Sequence, residues 1–202
     1  SELNDPRVHT SNVDGRFFLR NTAKFYDIIL IGIAKPSDLT ANRFFTEEFF
    51  SLAKNKLKSG GILSFWLPGS FSYLSRELKD LNGCVLNALK NKFSYTRVIP
   101  GDYNISIASD AKEILDLTPA LLSERLSRRN IRDTALLADY LNYRLSPELA
   151  DWFNGSMQSA TQKINSDFKP AALFETLAIW NKQFSKKFSH IFGAMQNLNL
   201  KK

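Results

Sequence analysis

Apolar runs alternate with amphipathic segments through residue 109, and this alternation predicts an α/β sheet. Residues 26–34 (YDIILIGIA) are almost uninterrupted β-branched and aliphatic positions, which is typical of a central parallel strand covered on both faces. Residues 62–67 are predicted to form the next buried strand, and residues 94–99 and 103–109 two further strands. Residues 7–12 are a short extended candidate.

Two predicted helices separate these strands. Thr46 is the expected N-cap of the first, which the pattern carries to the glycines at residues 60–61, and Ser75 is the expected N-cap of the second, which runs to about Lys92. Strands separated by helices predict a mostly parallel sheet. Only a short turn joins the last two strands, so the last strand should be antiparallel.

Helical patterns dominate after residue 110. The predicted helix starts share a capping residue or a proline and lie at Thr118, Asp133, Ser146 and Pro170. Residues 154–169 are polar and small and are predicted to form a loop. We therefore expect a partial α/β domain over residues 1–110 and a helical C-terminal extension over residues 111–202.

Composition narrows the classes of function. Of the 202 residues, 44% are hydrophobic and 23% are charged, which is typical of a globular chain and excludes wholesale disorder. Cys84 is the only cysteine, so an intramolecular disulfide and a cysteine-based zinc cluster are excluded. With two histidines as well, we predict no metal site, and the default location is the reducing cytoplasm.

Six short motifs follow one another in a recognisable order: DPRV at 5–8, VDGRFFL at 13–19, YDIIL at 26–30, Pro36, RFFTEEFF at 43–50 and LKSGGIL at 57–63. This order resembles the later half of the spermidine synthase (aminopropyltransferase) domain. The resemblance implies a partial Rossmann-like α/β fold of the S-adenosylmethionine-dependent methyltransferase type, with a mostly parallel sheet, an antiparallel last strand and C-terminal helices.

Three further segments narrow the resemblance. Residues 67–70 (LPGS), 100–104 (PGDYN) and 165–170 (NSDFKP) look similar to bacterial spermidine synthase-like proteins that are fused to membrane segments. This implies a second location, the cytoplasmic portion of an inner-membrane protein. The basic, amphipathic residues 180–192 are a candidate to pack on the domain, to pair with another chain or to lie on an anionic membrane surface.

The match begins where the family's domain is already half built. The family's glycine-rich loop and the acidic residue that ends its second strand lie upstream of the matched part. The resemblance therefore implies a fragment or a shortened homologue that is inactive alone and holds no cofactor itself. Decarboxylated S-adenosylmethionine or S-adenosylmethionine is implied only for an intact family member. The alternative is a non-catalytic interaction or assembly module. One form of this alternative is a module that associates with a membrane.

The strand-end motif departs from the family. Relatives carry Asp-x-x-Asp-Pro there, whereas this chain has Gly32 at the first acid and Lys35 at the second, before Pro36. An attacking amine must be held and must lose a proton, which Gly32 cannot promote and which the charge of Lys35 opposes. We therefore expect no catalytic residue at this strand end. Asp38 is a speculative replacement.

Asp14 and Gly15 are the remaining ligand candidates. The resemblance implies that this pair contacts the edge of an adenine ring, whereas the residues alone are equally those of an ordinary Asp-Gly turn. The adjacent carboxylates of Glu47 and Glu48 suit the first turn of a helix better than acid-base chemistry. Tyr103 and Asn104 follow a Pro-Gly-Asp turn at a strand end, where ligand sites tend to lie, but they are interpreted as part of a structural turn.

Two kinds of partner follow from these observations. Without the first strands of such a fold, the edge of residues 26–34 would be unpaired, which favours a homo-oligomer or pairing with a missing N-terminal portion of the same protein. Nucleic acid is not favoured, although the net charge is +7, because the aromatic residues are assigned to the core. The residues so assigned are Phe17, Phe18, Phe49, Phe50 and Phe65.

Overall fold

A four-stranded sheet organises the described part of the chain. The computed structural model describes residues 5–131 and 138–182. The strands are β1 (Tyr26–Ile31), β2 (Leu57–Pro68), β3 (Tyr95–Ile99) and β4 (Tyr103–Ser109), in the spatial order β1-β2-β4-β3. β1 runs parallel to β2, and β4 is antiparallel to both of its neighbours. The predicted mixed α/β fold with an antiparallel last strand is confirmed.

Eight α-helices lie in the described residues: α1 (Gly15–Asn21), α2 (Leu39–Asn42), α3 (Glu47–Lys54), α4 (Arg76–Lys90), α5 (Pro119–Arg128), α6 (Ala138–Arg144), α7 (Pro147–Met157) and α8 (Ala171–Lys182). Side-chain N-caps begin four of them as the sequence predicts, at Thr46, Ser75, Thr118 and Ser146. Each hydroxyl accepts a bond from an amide that the helix itself leaves unpaired. None of the helices in these ranges is long and apolar enough to cross a membrane.

The core lies on the face of the sheet that α3 and α4 cover. Phe50 stacks on Phe65 of β2 with ring centroids 5.5 Å apart, and Phe45 meets the same ring edge-on at 5.7 Å. α8 packs along α4, and Asn165 just before α8 donates from its amide to the carbonyl of Cys84. Residues of the predicted C-terminal extension thus pack against the α/β part, and the boundary at residue 110 stays a prediction.

Three predictions about strands and aromatic residues are wrong. Residues 7–12 form no strand, because no neighbouring strand offers them partners. β1 is an edge strand rather than a central one, and Ile28 and Leu30 on its outer face are each 63% exposed. Phe17 and Phe18 lie on α1 and point largely to solvent, so they are not core residues.

The first predicted helix is too long. α3 ends at Lys54, and both glycines at residues 60–61 lie inside β2. Gly60 has a φ of 72° at a register irregularity between β1 and β2, so its conformational freedom serves a bulge and not a helix end. By contrast, α7 is longer than predicted, because it extends to Met157 and so includes the first residues of the predicted loop at residues 154–169. The predicted helix start at Asp133 and most of residues 180–192 lie outside the described residues.

Two turns meet beyond the carboxyl ends of β2 and β3. Gly69 donates its amide to the carbonyl of Asp102 at 2.8 Å, and the buried Asn104 side chain accepts from the amide of Gly101 at 3.1 Å. Asn104 also donates to the side chain of Asn82 on α4 at 3.1 Å. A side chain at position 69 would overlap the Gly101 carbonyl and Asn104, so glycine is required there by the close approach.

We predict that Gly69→Ala lowers the free energy of unfolding by about 2–3 kcal/mol, because the added methyl forces the two turns apart. Gly155→Ala is the matched control. Gly155 lies inside α7 with no atom near its hypothetical Cβ, so alanine there should stabilise the protein by about 0.5–1 kcal/mol. Urea unfolding followed by circular dichroism measures both. Equal effects of the two variants would contradict the packing described for Gly69.

Candidate functional site

An apolar groove lies against β1 and joins two of the candidate positions. It has a volume of about 410 Å³, and Gly15 at the start of α1 and Gly32 just after β1 both line it. Its walls are otherwise hydrophobic side chains of α1, β1 and the α2–α3 region, listed as Phe18, Leu19, Tyr26, Ile28, Ile29, Leu30, Ile31, Ile33, Phe44 and Phe49. Such walls suit a flat apolar group better than a charged chain.

Asp14 stands beside this groove as the N-cap of α1. Its Oδ1 accepts a 2.8 Å hydrogen bond from the amide of Phe17, and Arg43 Nη2 lies 3.5 Å from the same oxygen. Gly15 is the first helical residue, so the predicted Asp-Gly pair forms a helix start. One carboxylate oxygen of Asp14 therefore has two partners within the chain, and a ligand would have to use the other.

Among the residues that the structure describes, none places a free carboxylate at the strand end after β1. Gly32 is exposed with nothing within 4 Å of a hypothetical Cβ, and Lys35 is exposed as well. Asp38 is the N-cap of α2, and its Oδ1 accepts from the Ala41 amide at 2.8 Å. This hydrogen bond, with a smaller contribution from Ser37, holds the pKa of Asp38 below its usual value. A helix cap of this kind is a weaker proton acceptor than a free carboxylate.

A second cation lies at the carboxyl ends of the strands. Arg144, the last residue of α6, lies against the turn that follows β3, and a Cβ on Gly101 would come within 2.8 Å of its Nη2. Its guanidinium lies 5.6 Å from the ring of Phe71 and donates through Nη1 to the hydroxyl of Tyr140 at 3.0 Å. Nε and Nη2 are buried with no hydrogen-bond partner among the described residues. The pattern of the sequence alone did not single out Arg144.

An ion pair connects the loop before α8 to α1, the helix that lines the groove. Arg16 of α1 is only 6% exposed and donates to both carboxylate oxygens of Asp167, at 2.8 and 2.6 Å. The Thr46 hydroxyl donates to Asp167 Oδ1 at 2.8 Å. Burial alone would raise the pKa of Asp167, but the bonds from Arg16 and Thr46 outweigh it and lower the pKa. Both residues lie in motifs visible in the sequence, yet nothing there pairs them across 151 positions.

The adjacent carboxylates of Glu47 and Glu48 have structural partners. Glu48 Oε2 accepts from the Asp167 amide at 3.0 Å, and Glu47 Oε2 lies 3.4 Å from Lys92 Nζ. The carboxylates are therefore engaged separately. In the part of the chain that the structure describes, no group of three histidine, cysteine or acidic side chains is placed to hold a metal ion.

A larger groove, of about 1020 Å³, lies at the opposite end of the strands, near the start of β2. Two of its cations are already engaged, because Lys54 lies 2.8 Å from Asp110 and Lys58 lies 2.8 Å from Asp27. Open α/β sheets bind ligands at the carboxyl ends of their strands. For this reason the smaller groove beside β1 is the better candidate.

The fold places the chain among methyltransferase-like α/β proteins. A solved spermidine synthase, in complex with the transition state analogue AdoDATO, superposes with a TM-score of 0.56 over 76% of this chain, at 19% sequence identity. At this identity the match establishes the fold. Residues 1–100 match the family model of the spermine/spermidine synthase domain. This match confirms the resemblance inferred from the motifs, and it covers just under half of the chain.

Two curated relatives carry the name polyamine aminopropyltransferase. The one from Oceanobacillus iheyensis is 39% identical over 61 residues, 30% of this chain and 12% of that protein. The one from Nitrosomonas europaea is 25% identical over 147 residues, 70% of this chain and 44% of that protein. The chain therefore spans less than half of the length of either relative, and 53% of the solved spermidine synthase.

We predict that Asp167→Asn destabilises the protein by about 2 kcal/mol at pH 7, because it leaves the buried Arg16 without its counter-charge. Asp167 is partly exposed, which keeps the effect below that of a fully buried pair. Because the folded-state pKa is lowered, the stabilisation is present above the unfolded-state pKa of about 4 and is lost as the pH falls through the folded-state value. Urea unfolding at pH 7 and pH 3 should show the difference between the proteins shrinking in acid.

Asp27→Asn is the control for this prediction. Asp27 also lies 2.8 Å from a cation, Lys58, but its side chain is 80% exposed. Solvent screens such a pair, so its removal should leave stability nearly unchanged at both pH values. A loss for Asp27→Asn as large as that for Asp167→Asn would show that burial of Arg16 is not the cause.

Proposed function

We propose that this chain is a spermidine synthase-like protein, or a part of one, that does not transfer aminopropyl groups when it acts alone. One observation carries the proposal: the end of β1 offers Gly32 and Lys35 where the family has acids, and the nearby Asp38 is engaged as a helix cap. An amine acceptor must be held and deprotonated before it can attack. No side chain at this strand end is suited to either task.

The charge at the carboxyl edge of the sheet supports the same proposal. A polyamine acceptor is a multiply charged cation. Lys35 follows β1 and Arg144 lies against the turn after β3, so both add positive charge at the carboxyl ends of the parallel strands. Like charges repel, so both side chains disfavour a cationic acceptor. The apolar groove beside β1 offers no compensating carboxylate among its lining residues.

The alternative proposal is a non-catalytic assembly module. It is favoured by the exposed apolar face of β1 and by its outer edge, which no strand of the described residues covers. Both are features of a surface that binds another polypeptide. Association with a membrane surface through the basic C-terminal residues stays a prediction.

We predict that the purified chain forms no methylthioadenosine from decarboxylated S-adenosylmethionine and putrescine above the background rate. A chromatographic assay with a catalytically competent spermidine synthase as positive control measures this. Product from the wild-type chain, formed at a rate that Lys35→Ala or Asp38→Ala abolishes, would overturn the proposal. Gly32→Asp with Lys35→Asp restores both acids without a steric clash at position 32, and should improve binding of the cationic acceptor.

We also predict that methylthioadenosine binds no more tightly than micromolar. A single free carboxylate oxygen of Asp14 and one apolar groove leave little net affinity after the entropic cost of association. Isothermal titration calorimetry with the wild-type chain and Asp14→Ser tests this, because serine keeps the helix cap while removing the carboxylate. A sub-micromolar Kd would show that the groove is a complete nucleoside site, whereas equal weak binding by both proteins would exclude an Asp14 contact.

A further inference from the structure

Arg144 is a partly buried cation without an acidic partner among the described residues. None of their ion pairs includes it, and the carboxylate of Asp102, next in the chain to Gly101, does not reach it. Arg16, by contrast, is buried against Asp167. A charge removed from water without a counter-charge destabilises the folded state. The described part of the chain therefore leaves the charge of Arg144 to be balanced by something else.

The two unpartnered donors of Arg144 lie on the same side of its guanidinium group. In this planar group, Nε–H and one N–H of Nη2 point in the same direction and match the two oxygens of a carboxylate. Nη1, on the other side, donates to the hydroxyl of Tyr140 at 3.0 Å. Nε and Nη2 are the atoms left without a partner in the described residues. The free donors are thus the pair that binds a carboxylate with two parallel hydrogen bonds.

Arg7 shows the same pair of donors in use. Its Nε donates to Oδ1 of Asp5 at 2.9 Å, and its Nη2 donates to Oδ2 at 2.7 Å. That ion pair is exposed, with 87% of the Arg7 side chain accessible to solvent, so it contributes little to stability. A carboxylate on the corresponding atoms of Arg144 would be shielded from water. The attraction is stronger in such surroundings, because water competes less for the donors.

Aromatic rings surround the guanidinium group of Arg144. Its Cζ lies 5.6 Å from the ring centroid of Phe71 and 5.7 Å from that of Tyr140. The ring of Phe71 lies 5.4 Å from that of Tyr143, which is 53% exposed. Gly101 makes this position possible, since a Cβ there would come within 2.8 Å of Nη2. Three rings beside one arginine suit a carboxylate that is carried on a flat apolar group.

Both free donors are closed to solvent, so a ligand must displace a neighbouring side chain to reach them. Phe71 is the candidate for this movement, because it lies in a bend between β2 and α4 and not in a helix or strand. Its contact with the exposed Tyr143 places it next to the surface. Displacing the ring costs free energy, which limits the affinity for a small acid to about the millimolar range.

We propose that Arg144 is the binding residue for a small aromatic carboxylic acid, which it holds by two hydrogen bonds from Nε and Nη2. The ligand supplies the missing counter-charge and packs its ring among Phe71, Tyr140 and Tyr143. The site lies at the carboxyl ends of the strands, where open α/β sheets bind ligands. None of its residues lines the groove beside β1. It is independent of aminopropyl transfer, so the failure of either proposal leaves the other standing.

Equilibrium dialysis with labelled benzoate tests the class of ligand. Benzamide is the control, because it has nearly the same shape without the charge. Salt at about 0.15 M screens the general attraction of anions to a chain of net charge +7. Benzoate should bind saturably, and benzamide should compete about tenfold less well or worse. Inorganic phosphate should also compete less well than benzoate, because one arginine cannot satisfy its charge. Absence of saturable binding, equal competition by benzamide or stronger competition by phosphate would overturn the proposal.

Three variants test the residue. Arg144→Lys keeps the charge but removes the paired donors, and should weaken benzoate binding by about fivefold or more. Arg144→Met should abolish saturable binding, and should leave the urea midpoint of the ligand-free protein unchanged or raised, because it removes an unpaired charge. Arg129→Met is the matched control, since Arg129 is an exposed cation at the end of α5. It changes the net charge equally and should bind benzoate as wild type does.

Two results with these variants would contradict the role of Arg144. Benzoate binding that Arg144→Met leaves intact, or that Arg129→Met weakens equally, would show that general charge and not this side chain attracts the ligand. A urea midpoint lowered by Arg144→Met would show that the chain itself already satisfies the charge, and would also overturn the proposal. If Arg144→Met does not fold, Arg144→Lys decides the question, and wild-type affinity in that variant would overturn the proposal.

Discussion

The ion pair between Arg16 and Asp167 connects the beginning of the described chain to its end. Arg16 also donates to the carbonyl of Arg43, and Asp167 also accepts from Thr46, so the pair fixes α1, the start of α3 and the approach to α8 at one point. Without it, α1 would keep the apolar contacts of its inner side and the polar contacts of its two caps, with Arg43 at Asp14 and with Lys56 at Thr22. The wall of the candidate groove that α1 supplies therefore depends on an interaction outside the groove.

The sequence predicts those features that local chemistry decides. Thr46, Ser75 and Thr118 cap their helices because a hydroxyl at that position satisfies a free amide whatever lies around it. The antiparallel β4 follows from the shortness of the turn before it. The exposure of Ile28 could not be predicted in this way, because the apolar run is the same for a covered strand and for an edge strand.

The candidate site shows the same division. The replacement of the family's acids by Gly32 and Lys35 is visible in the letters of the sequence. That Asp38 is engaged as a cap, and that Arg144 lies against Gly101, depends on contacts between segments that no spacing rule connects. Asp14 illustrates the intermediate case: the residues suggested a turn or a ligand contact, and the structure shows a helix cap with one oxygen still unused by the amide of Phe17.

The bulge at Gly60 determines how the two parallel strands are aligned. Between Tyr26 and Ile28, β1 advances by two residues while β2 advances by five, from Leu57 to Ile62. Side chains alternate faces along a strand, so a slip of one residue would turn Phe65 from the core toward solvent. Because the extra length is confined to one place with a left-handed glycine, sliding one strand along the other would require the bulge itself to migrate. Gly60 therefore fixes the register of β1 against β2, in the half of the sheet that carries the groove.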